Sequence, residues 1–379
     1  MKKILFFIAI LPLASFAQTP IKTFVKGEVK ELNVSPDESV WLCDNAGYIY
    51  KTTNFADIET KYTFPTPKPD YFGEQTINID RITFFNKDNF FVSGYIGDDL
   101  IGKDQGTPNK VFVTKDGGTN WEAAKFTSKG IWVYDCFTTN DGKAWIGGSD
   151  GNMFYSDDFA KTWKKCSSPY NSSDRLSKLY LSNTIGIAAA LENKLKISTD
   201  NFLTFKKIET PLDQNKYTDP NKAKPEYTVR NIFSKVAILN NYFIVNQINH
   251  VFYSKTDVID WMPFSKDIKQ FEIDQQGQKI IALTPDNKFI SFSSTFQYES
   301  ELMTIPEEET VKDFKVVNGK LFVLTETYAK AKDGDDVVGT VGNMTVTRVG
   351  YKKVAAYKIY KKSATENLSA EFKVRKLIN

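Results

Sequence analysis

The sequence predicts an all-β fold, a β-propeller of seven four-stranded blades. Three observations carry this. Short runs alternate apolar and polar residues between clusters of Asn, Asp and Gly, and no long helical stripe interrupts them. A strand repeatedly ends in Ser or Thr, with an acid or its stand-in two or three residues on and an aromatic at the seventh. The Ser or Thr positions fall at 52, 114, 156, 198, 254 and 293, in steps of 62, 42, 42, 56 and 39 residues. A beat near forty residues is one propeller blade, and the longer steps are the same beat with insertions.

The strands are expected in seven groups. The first holds 31–34, 39–43 and 48–51, with Thr52-Thr53-Asn54-Phe55 in the turn position. The second holds 82–85, 89–93 and 110–113; the third 131–137, 143–147, 153–155 and a strand from Trp163. The fourth holds 176–181, 185–190, 194–197 and 205–208; the fifth 229–232, 242–246, 250–253 and a strand from Trp261. The sixth holds 270–273, 279–283, 289–292 and 298–302; the seventh 311–316, 321–325, 353–359 and 370–374. The first and last groups are the most degenerate, so the count lies between six and eight, with seven the best fit. One blade cannot bury both of its faces, and radial stacking supplies the missing neighbours. Residues 21–25 are placed to add a strand to the last blade and close the ring. A parallel β-helix, the competing repeat fold, has shorter coils of roughly 20–30 residues and needs no hairpin of this spacing.

Residues 1–17 read as a secretory leader, followed by one propeller domain over 18–379. Lys2 and Lys3 precede an apolar run over 4–13, and Ala14-Ser15-Phe16-Ala17 forms a cleavage site before Gln18. The run is shorter than the ~20 residues of a membrane span. No Cys stands at the cleavage point to take a lipid, and no second segment is long enough to cross. Export to the periplasm, the outer surface or the medium is expected. The formal charge of +3 falls to +1 without Lys2 and Lys3, which gives no bulk attraction for nucleic acid or acidic lipid. Cys43, Cys136 and Cys166 are an odd number; Cys136 and Cys166 flank one repeat, but buried free thiols are the favoured reading.

The turn signature carries a family resemblance. Thr114-Lys115-Asp116-Gly117-Gly118-Thr119-Asn120-Trp121 resembles the Asp box of the BNR repeat, Ser/Thr-x-Asp-x-Gly-x-Thr-x-Trp with small length variation. Ser156, Asp158 and Trp163 form a copy without the Gly; Ser198, Asp200 and Phe205 form one without Gly or Trp. Ser254 and Trp261 keep only the ends, with the acid shifted to Asp257. The resemblance covers roughly 110–261 and points to sortilin-like, photosystem-assembly-factor-like and sialidase-like propellers, as a secreted bacterial member. It implies that Asp116, Gly118, Asp158 and Asp200 are turn stabilisers at the periphery, because an Asp carboxylate accepts N–H groups of its own turn and Gly admits positive φ.

The sialidase chemistry of such propellers demands three converging arginines, a Tyr/Glu pair and an Asp acid. Arg81, Arg175, Arg230 and Arg348 suffice in number, but Arg81-Ile82-Thr83 is a poor stand-in for the family's Arg-Ile-Pro element. A glycosidase needs two carboxylates across one cleft; Asp70, Asp98, Asp99 and Asp219 are loop acids read as solvated charge. His250 is the single histidine and has no metal-ligand spacing around it. Asp333, Asp335 and Asp336 offer hard oxygens for calcium but lack the rest of a calcium loop, so an exposed acidic turn and no cofactor are preferred.

The expected function is therefore non-enzymatic binding of a protein or glycan at the cell envelope, by a monomer, through rim loops. Three long loops, 62–76, 94–109 and 211–227, interrupt the beat, and a fourth insertion spans 330–351. Tyr62, Tyr71, Phe72, Tyr217 and Tyr227 are the aromatic candidates for the rim. The alternative is an Asp-box glycoside hydrolase.

Overall fold

The computed structural model describes residues 23–25, 28–44, 48–53, 60–62, 77–96, 110–127, 133–166, 169, 176–190, 194–212, 233–264, 266–328, 337–341, 344–348, 354–363 and 367–374. Seven antiparallel meanders follow one another, each one blade. Blade 1 comprises Val29–Val34, Val40–Asp44, Ile49–Thr52 and Thr60–Tyr62. Blade 2 comprises Ile77–Phe84, Phe90–Ile96, Lys110–Thr114 and Glu122–Ala123. Blade 3 comprises Val133–Thr138, Ala144–Gly148, Met153–Ser156 and Thr162–Lys165. Blade 4 comprises Leu176–Ser182, Ile185–Ala190, Lys194–Ser198 and Lys206–Ile208. Blade 5 comprises Phe233–Leu239, Tyr242–Gln247, His250–Lys255 and Met262–Pro263. Blade 6 comprises Gln270–Asp274, Lys279–Leu283, Lys288–Ser293 and Tyr298–Thr304. Blade 7 comprises Thr310–Val317, Lys320–Tyr328, Val354–Lys362 and Asn367–Val374.

The first strand of each blade is innermost. Each of these strands touches the first strands of both neighbouring blades, and the one in blade 7 touches the one in blade 1, so the ring is closed. Thr23–Val25 adds a parallel fifth strand outside Asn367–Val374, pairing Thr23 with Phe372 and Val25 with Val374. Lys125–Phe126 adds another outside blade 3, directly after the outer strand of blade 2. One expected strand is corrected: the inner strand of blade 5 is Phe233–Leu239, and 229–232 lies outside the described residues. The long 211–227 insertion displaced the expected start, since it shifts this strand off the forty-residue beat.

The period-2 pattern explains the packing. Alternate residues of one strand point to opposite faces, hence to opposite neighbours. Trp41 and Cys43 join the core between blades 1 and 2, while Val40 and Leu42 join the core between blades 1 and 7. Each of the seven hydrophobic cores lies between two adjacent blades. Size is matched across them: Trp145 of blade 3 packs with Ala188 and Ala190 of blade 4.

Antiparallel meandering also sorts the connections. The links between second and third strands, and the links from one blade to the next, leave from one face, here the loop face. The links between first and second, and between third and fourth strands, leave from the other, here the turn face.

Candidate functional site

The turn face holds the Ser/Thr-x-Asp turns. In blades 2, 3 and 4 they share one set of hydrogen bonds. The Thr114, Ser156 and Ser198 hydroxyls donate to Asp116, Asp158 and Asp200 Oδ1 at 2.9, 2.9 and 2.8 Å. The same hydroxyls accept the N–H of Gly118, Ala160 and Phe202 at 2.9, 3.0 and 2.9 Å. Each Asp then accepts the N–H of Asn120, Thr162 or Thr204 at 2.8, 2.9 and 2.8 Å. These bonds hold the carboxyls low. Thr204 chiefly holds Asp200 at about 2, and the Asn120 N–H chiefly lowers Asp116. Burial pushes Asp158 up, but bonds from Thr162 and Ser156 outweigh it.

Two positions in each turn have left-handed backbone: Gly117 and Gly118 in blade 2, Phe159 and Ala160 in blade 3, Asn201 and Phe202 in blade 4. Where glycine is lost, an aromatic serves as a staple to the preceding blade. Phe159 meets Phe85 at 5.2 Å, and Phe202 meets Trp145 at 6.2 Å. Phe296 in blade 6, at φ 63°, stacks on Tyr253 of blade 5 at 3.8 Å. Gly186 makes room for the Phe202 ring, which a Cβ there would meet at 2.3 Å. The distal aromatics differ: Trp121 Nε1 donates to the Gly118 carbonyl at 2.9 Å, Trp163 is fully buried, and Phe205 stacks on Phe202 at 5.8 Å. In blade 5, Asp257 does not replace the box acid: the Ser254 hydroxyl accepts the Asp260 N–H at 2.7 Å and donates toward the Val258 carbonyl at 3.3 Å. Trp261 Nε1 there donates to the Glu209 carbonyl of blade 4 at 2.8 Å.

The loop face receives the long insertions. The segment 63–76 joins Tyr62 to Ile77, and 213–232 lies between blades 4 and 5; both are blade-to-blade links. The segments 97–109 and 329–353 join second to third strands of blades 2 and 7. The last carries a hairpin, Val337–Val341 with Met344–Arg348. All four attach at the loop face. Tyr62 ends the outer strand of blade 1, with its backbone alone described. Tyr71, Phe72, Tyr217, Tyr227, Asp333, Asp335 and Asp336 lie outside the described residues.

Beneath this face lies a collar of charge not expected from the sequence. The inner strands of blades 1–5 and 7 each carry a register bulge near their start. The residues just after it are Glu31, Arg81, Asp135, Lys178, Lys235 and Asp313, and Glu272 and Lys315 complete the collar. A bulge re-aims side chains and frees a backbone N–H. Asp135 Oδ2 accepts the Leu179 N–H of the next blade at 2.7 Å, and Asp313 Oδ2 accepts that of Leu32 at 3.1 Å. Arg81 lies 3.1 Å from Asp135 and 3.7 Å from Glu31; Lys315 lies 3.3 Å from Asp313; Lys235 pairs with Glu272. Four positive and four negative charges cancel. Burial pushes Glu31 above the usual carboxylate range despite Arg81, and its buried Oε2 has no described hydrogen-bond partner. Burial likewise pushes the Lys178 ammonium below the usual lysine range, against the pull of Asp135. A weak sequence signal for the collar existed: apolar, any, charged, apolar, as in Val29-Lys30-Glu31-Leu32 and Ile79-Asp80-Arg81-Ile82.

The axis is narrowed on the turn-face side. Tyr180 meets the Phe137 ring at 5.2 Å, and Gln275 of blade 6 reaches past blade 5 to donate to the Tyr180 hydroxyl at 2.5 Å. Arg81 is the only arginine whose side chain is described, and it is committed to the collar. Glu309, on the loop face, is fully buried and saturated by Thr325 at 2.6 Å, Lys358 at 2.6 Å and Tyr360 at 2.8 Å. Among the described residues no group of three or more His, Cys, Asp and Glu is placed to hold a metal ion. His250 is exposed at the loop-face end of its strand. Cys43, Cys136 and Cys166 are free thiols.

No family model and no curated protein matches the sequence. Solved structures match the fold. One is YCF48 bound to a D1 peptide, with a TM-score of 0.53, 10% identity, and coverage of 81% of this chain and 91% of that one. Another is Raptor from Chaetomium thermophilum, with a TM-score of 0.53 and 8% identity; 81% of this chain matches 28% of the longer Raptor chain. At these identities the likeness establishes a shared propeller fold.

Proposed function

We infer that the protein is an exported, non-catalytic Asp-box propeller that binds a protein or glycan partner at the cell envelope through its loop face. One observation carries this reading: all four long insertions attach to the same face, while the opposite face has short turns. A rigid ring with long loops on one side is the usual arrangement of a binding scaffold. The collar carboxylates Asp135 and Asp313 are each engaged by a cation and a backbone N–H, Glu272 is paired with Lys235, the second Glu31 oxygen is buried, and Glu309 is saturated, which favours binding over acid–base chemistry. The fold relative YCF48 is a peptide binder in its solved complex, which supports the same use here. The leader-like start over 1–17 supports export. Among the described residues no helix is long and apolar enough to cross a membrane.

The test is capture from the cell envelope with immobilised residues 18–379, beside a variant in which 97–109 is replaced by an Asn-Gly turn. The purified partner is expected to bind directly and to lose affinity for the variant. Recovery of no specific partner, or equal binding by the variant and by equivalents shortened at 63–76, 213–232 and 329–353, refutes the reading. A mature N-terminus other than Gln18 refutes the assigned leader.

A further inference from the structure

The collar has a spent arc and an unspent arc. Across blades 7, 1, 2 and 3 the charges are matched: Lys315 to Asp313 at 3.3 Å, and Arg81 to Asp135 at 3.1 Å and Glu31 at 3.7 Å. The remaining Glu31 oxygen is buried, beyond reach of a ligand. Blades 4 to 6 differ. Lys178 makes no hydrogen bond or ion pair with any described residue. Glu272 gives Oε1 to Lys235, while its Oε2 has no described partner. The Tyr180 hydroxyl accepts from Gln275 at 2.5 Å, and its own proton has no described acceptor. Leu179, Leu181, Phe271 and Ile273 of the same strands fill the cores between blades. Arg81 and Glu31, from blades 2 and 1, act on Lys178, and Gln275 of blade 6 reaches the Tyr180 hydroxyl past blade 5, with Glu272 acting on the same hydroxyl; these cross-ring contacts place Lys178, Tyr180 and Glu272 around the axis.

We propose that this arc binds an uncharged, polyhydroxylated sugar, the end residue of a glycan chain. The proposal rests on the loop face being the binding surface and names the ligand class. A sugar hydroxyl both accepts and donates, and the arc offers donors at Lys178 and Tyr180 and an acceptor at Glu272. The charges around it argue against an ionic ligand. Around Lys178 the carboxylates Asp135 and Glu31 are offset by the cations Arg81 and Lys235, so an anion there would lose hydration without net attraction; Lys235 and Lys315 beside Glu272 would oppose a cation. Charge-assisted hydrogen bonds to neutral hydroxyls avoid both penalties. The side chains around the axis are partly solvent-exposed, Lys235 at 27% and Glu272 at 17%, so the arc is open to solute. The Gln275–Tyr180 hydrogen bond spans blades 6 and 4 on the far side, which suits a chain end better than a through-running strand.

The test uses saturation-transfer NMR and calorimetry on residues 18–379. The probes are methyl glucoside, methyl galactoside, methyl mannoside and N-acetylglucosamine, with glucuronic acid and N-acetylneuraminic acid as charged comparisons. At least one neutral probe is expected to bind. Lys178→Met and Glu272→Gln should each weaken it about tenfold or more, as for lost hydrogen bonds to charged groups. Tyr180→Phe, which keeps the ring, should weaken it several-fold. Each variant is first checked for an unchanged circular dichroism spectrum, and any that fails is replaced by Lys178→Gln or Glu272→Asp. Binding of the charged probes alone, of no probe, or of a neutral probe indifferent to all the variants overturns the proposal. Envelope capture with the same variants separates the two readings. Capture that survives while every sugar fails leaves the loop face intact and removes only the sugar site.

Discussion

The Tyr357 hydroxyl accepts the backbone N–H of Val29 at 2.9 Å, joining residues 328 positions apart across the seam between blades 7 and 1. Around it, Lys320 and Lys361 reach Glu38 at 2.8 and 3.0 Å, and Asn318 donates to the Pro36 carbonyl at 2.9 Å. The ring is thus sealed by side chains from the last blade acting on the first. Tyr357→Phe should cost about 1–3 kcal/mol, the penalty of a buried N–H left without its acceptor. Urea unfolding measures it; an unchanged midpoint would show that the seam does not depend on this bond.

Phe202 tests the staple. It is 1% exposed and holds φ 64°. Phe202→Ala should destabilise by about 3–5 kcal/mol through the cavity against Trp145. Phe202→Gly should be the milder change, by up to ~1 kcal/mol, because glycine relieves the left-handed backbone. The reverse order would mean the backbone there is not strained.

Acid should loosen the turn face. The folded values of Asp116, Asp158 and Asp200 lie below the ordinary 3.8, so their contribution is present above that value and is lost as pH falls through the folded ones, about 2 for Asp200. The triple variant Asp116→Asn, Asp158→Asn, Asp200→Asn should flatten stability between about pH 5 and pH 2, as linkage requires. Denaturant midpoints across that range provide the check, and a slope like that of the parent would place the acid lability elsewhere.

Glu31 should behave oppositely. Its folded value is raised above 4.5, so its contribution is present below that value and is lost as pH rises through the folded one. At neutral pH Glu31→Gln should be neutral or stabilising by up to ~1 kcal/mol, since it removes a buried charge with a loose partner. Asp135→Asn should instead cost about 1–3 kcal/mol, because Arg81 and the Leu179 N–H both depend on that carboxylate. Equal effects of the two substitutions would contradict the unequal roles assigned to them.

The thiols should be inert in the native state. Burial pushes Cys136 and Cys166 up to about 12, and Cys43 is buried. A colorimetric thiol assay at pH 8 should read close to zero before denaturant and three after it, for Cys43, Cys136 and Cys166. A prompt native signal would identify an accessible cysteine.

What the sequence disclosed follows from the range of each interaction. The Thr114 and Asp116 turn is built within seven residues, so its signature is local, and its repetition counts blades. The collar is not local. Lys178, Lys235 and Glu272 stand on three blades, and each reads in sequence as an ordinary polar place in an alternating strand. The staple was hidden differently: Phe159 and Phe202 look like losses from the Gly motif, although their rings do work that glycine cannot. Phe233–Leu239 was missed because a long insertion precedes it and shifts it off the beat of the other blades.

Thr23–Val25 lies along Phe372–Val374, so the earliest described strand rests on the latest. For a chain made from its N-terminus, this joint has no partner until residues 372–374 have been made. Blades can form in turn as they emerge, each from neighbouring sequence, but the circle waits for blade 7. Until then the blade 1 surface that meets blade 7, with Val29, Leu32 and Leu42, has nothing to cover it. The time between synthesis of the first blade and the last is therefore the interval in which this protein is most exposed to aggregation.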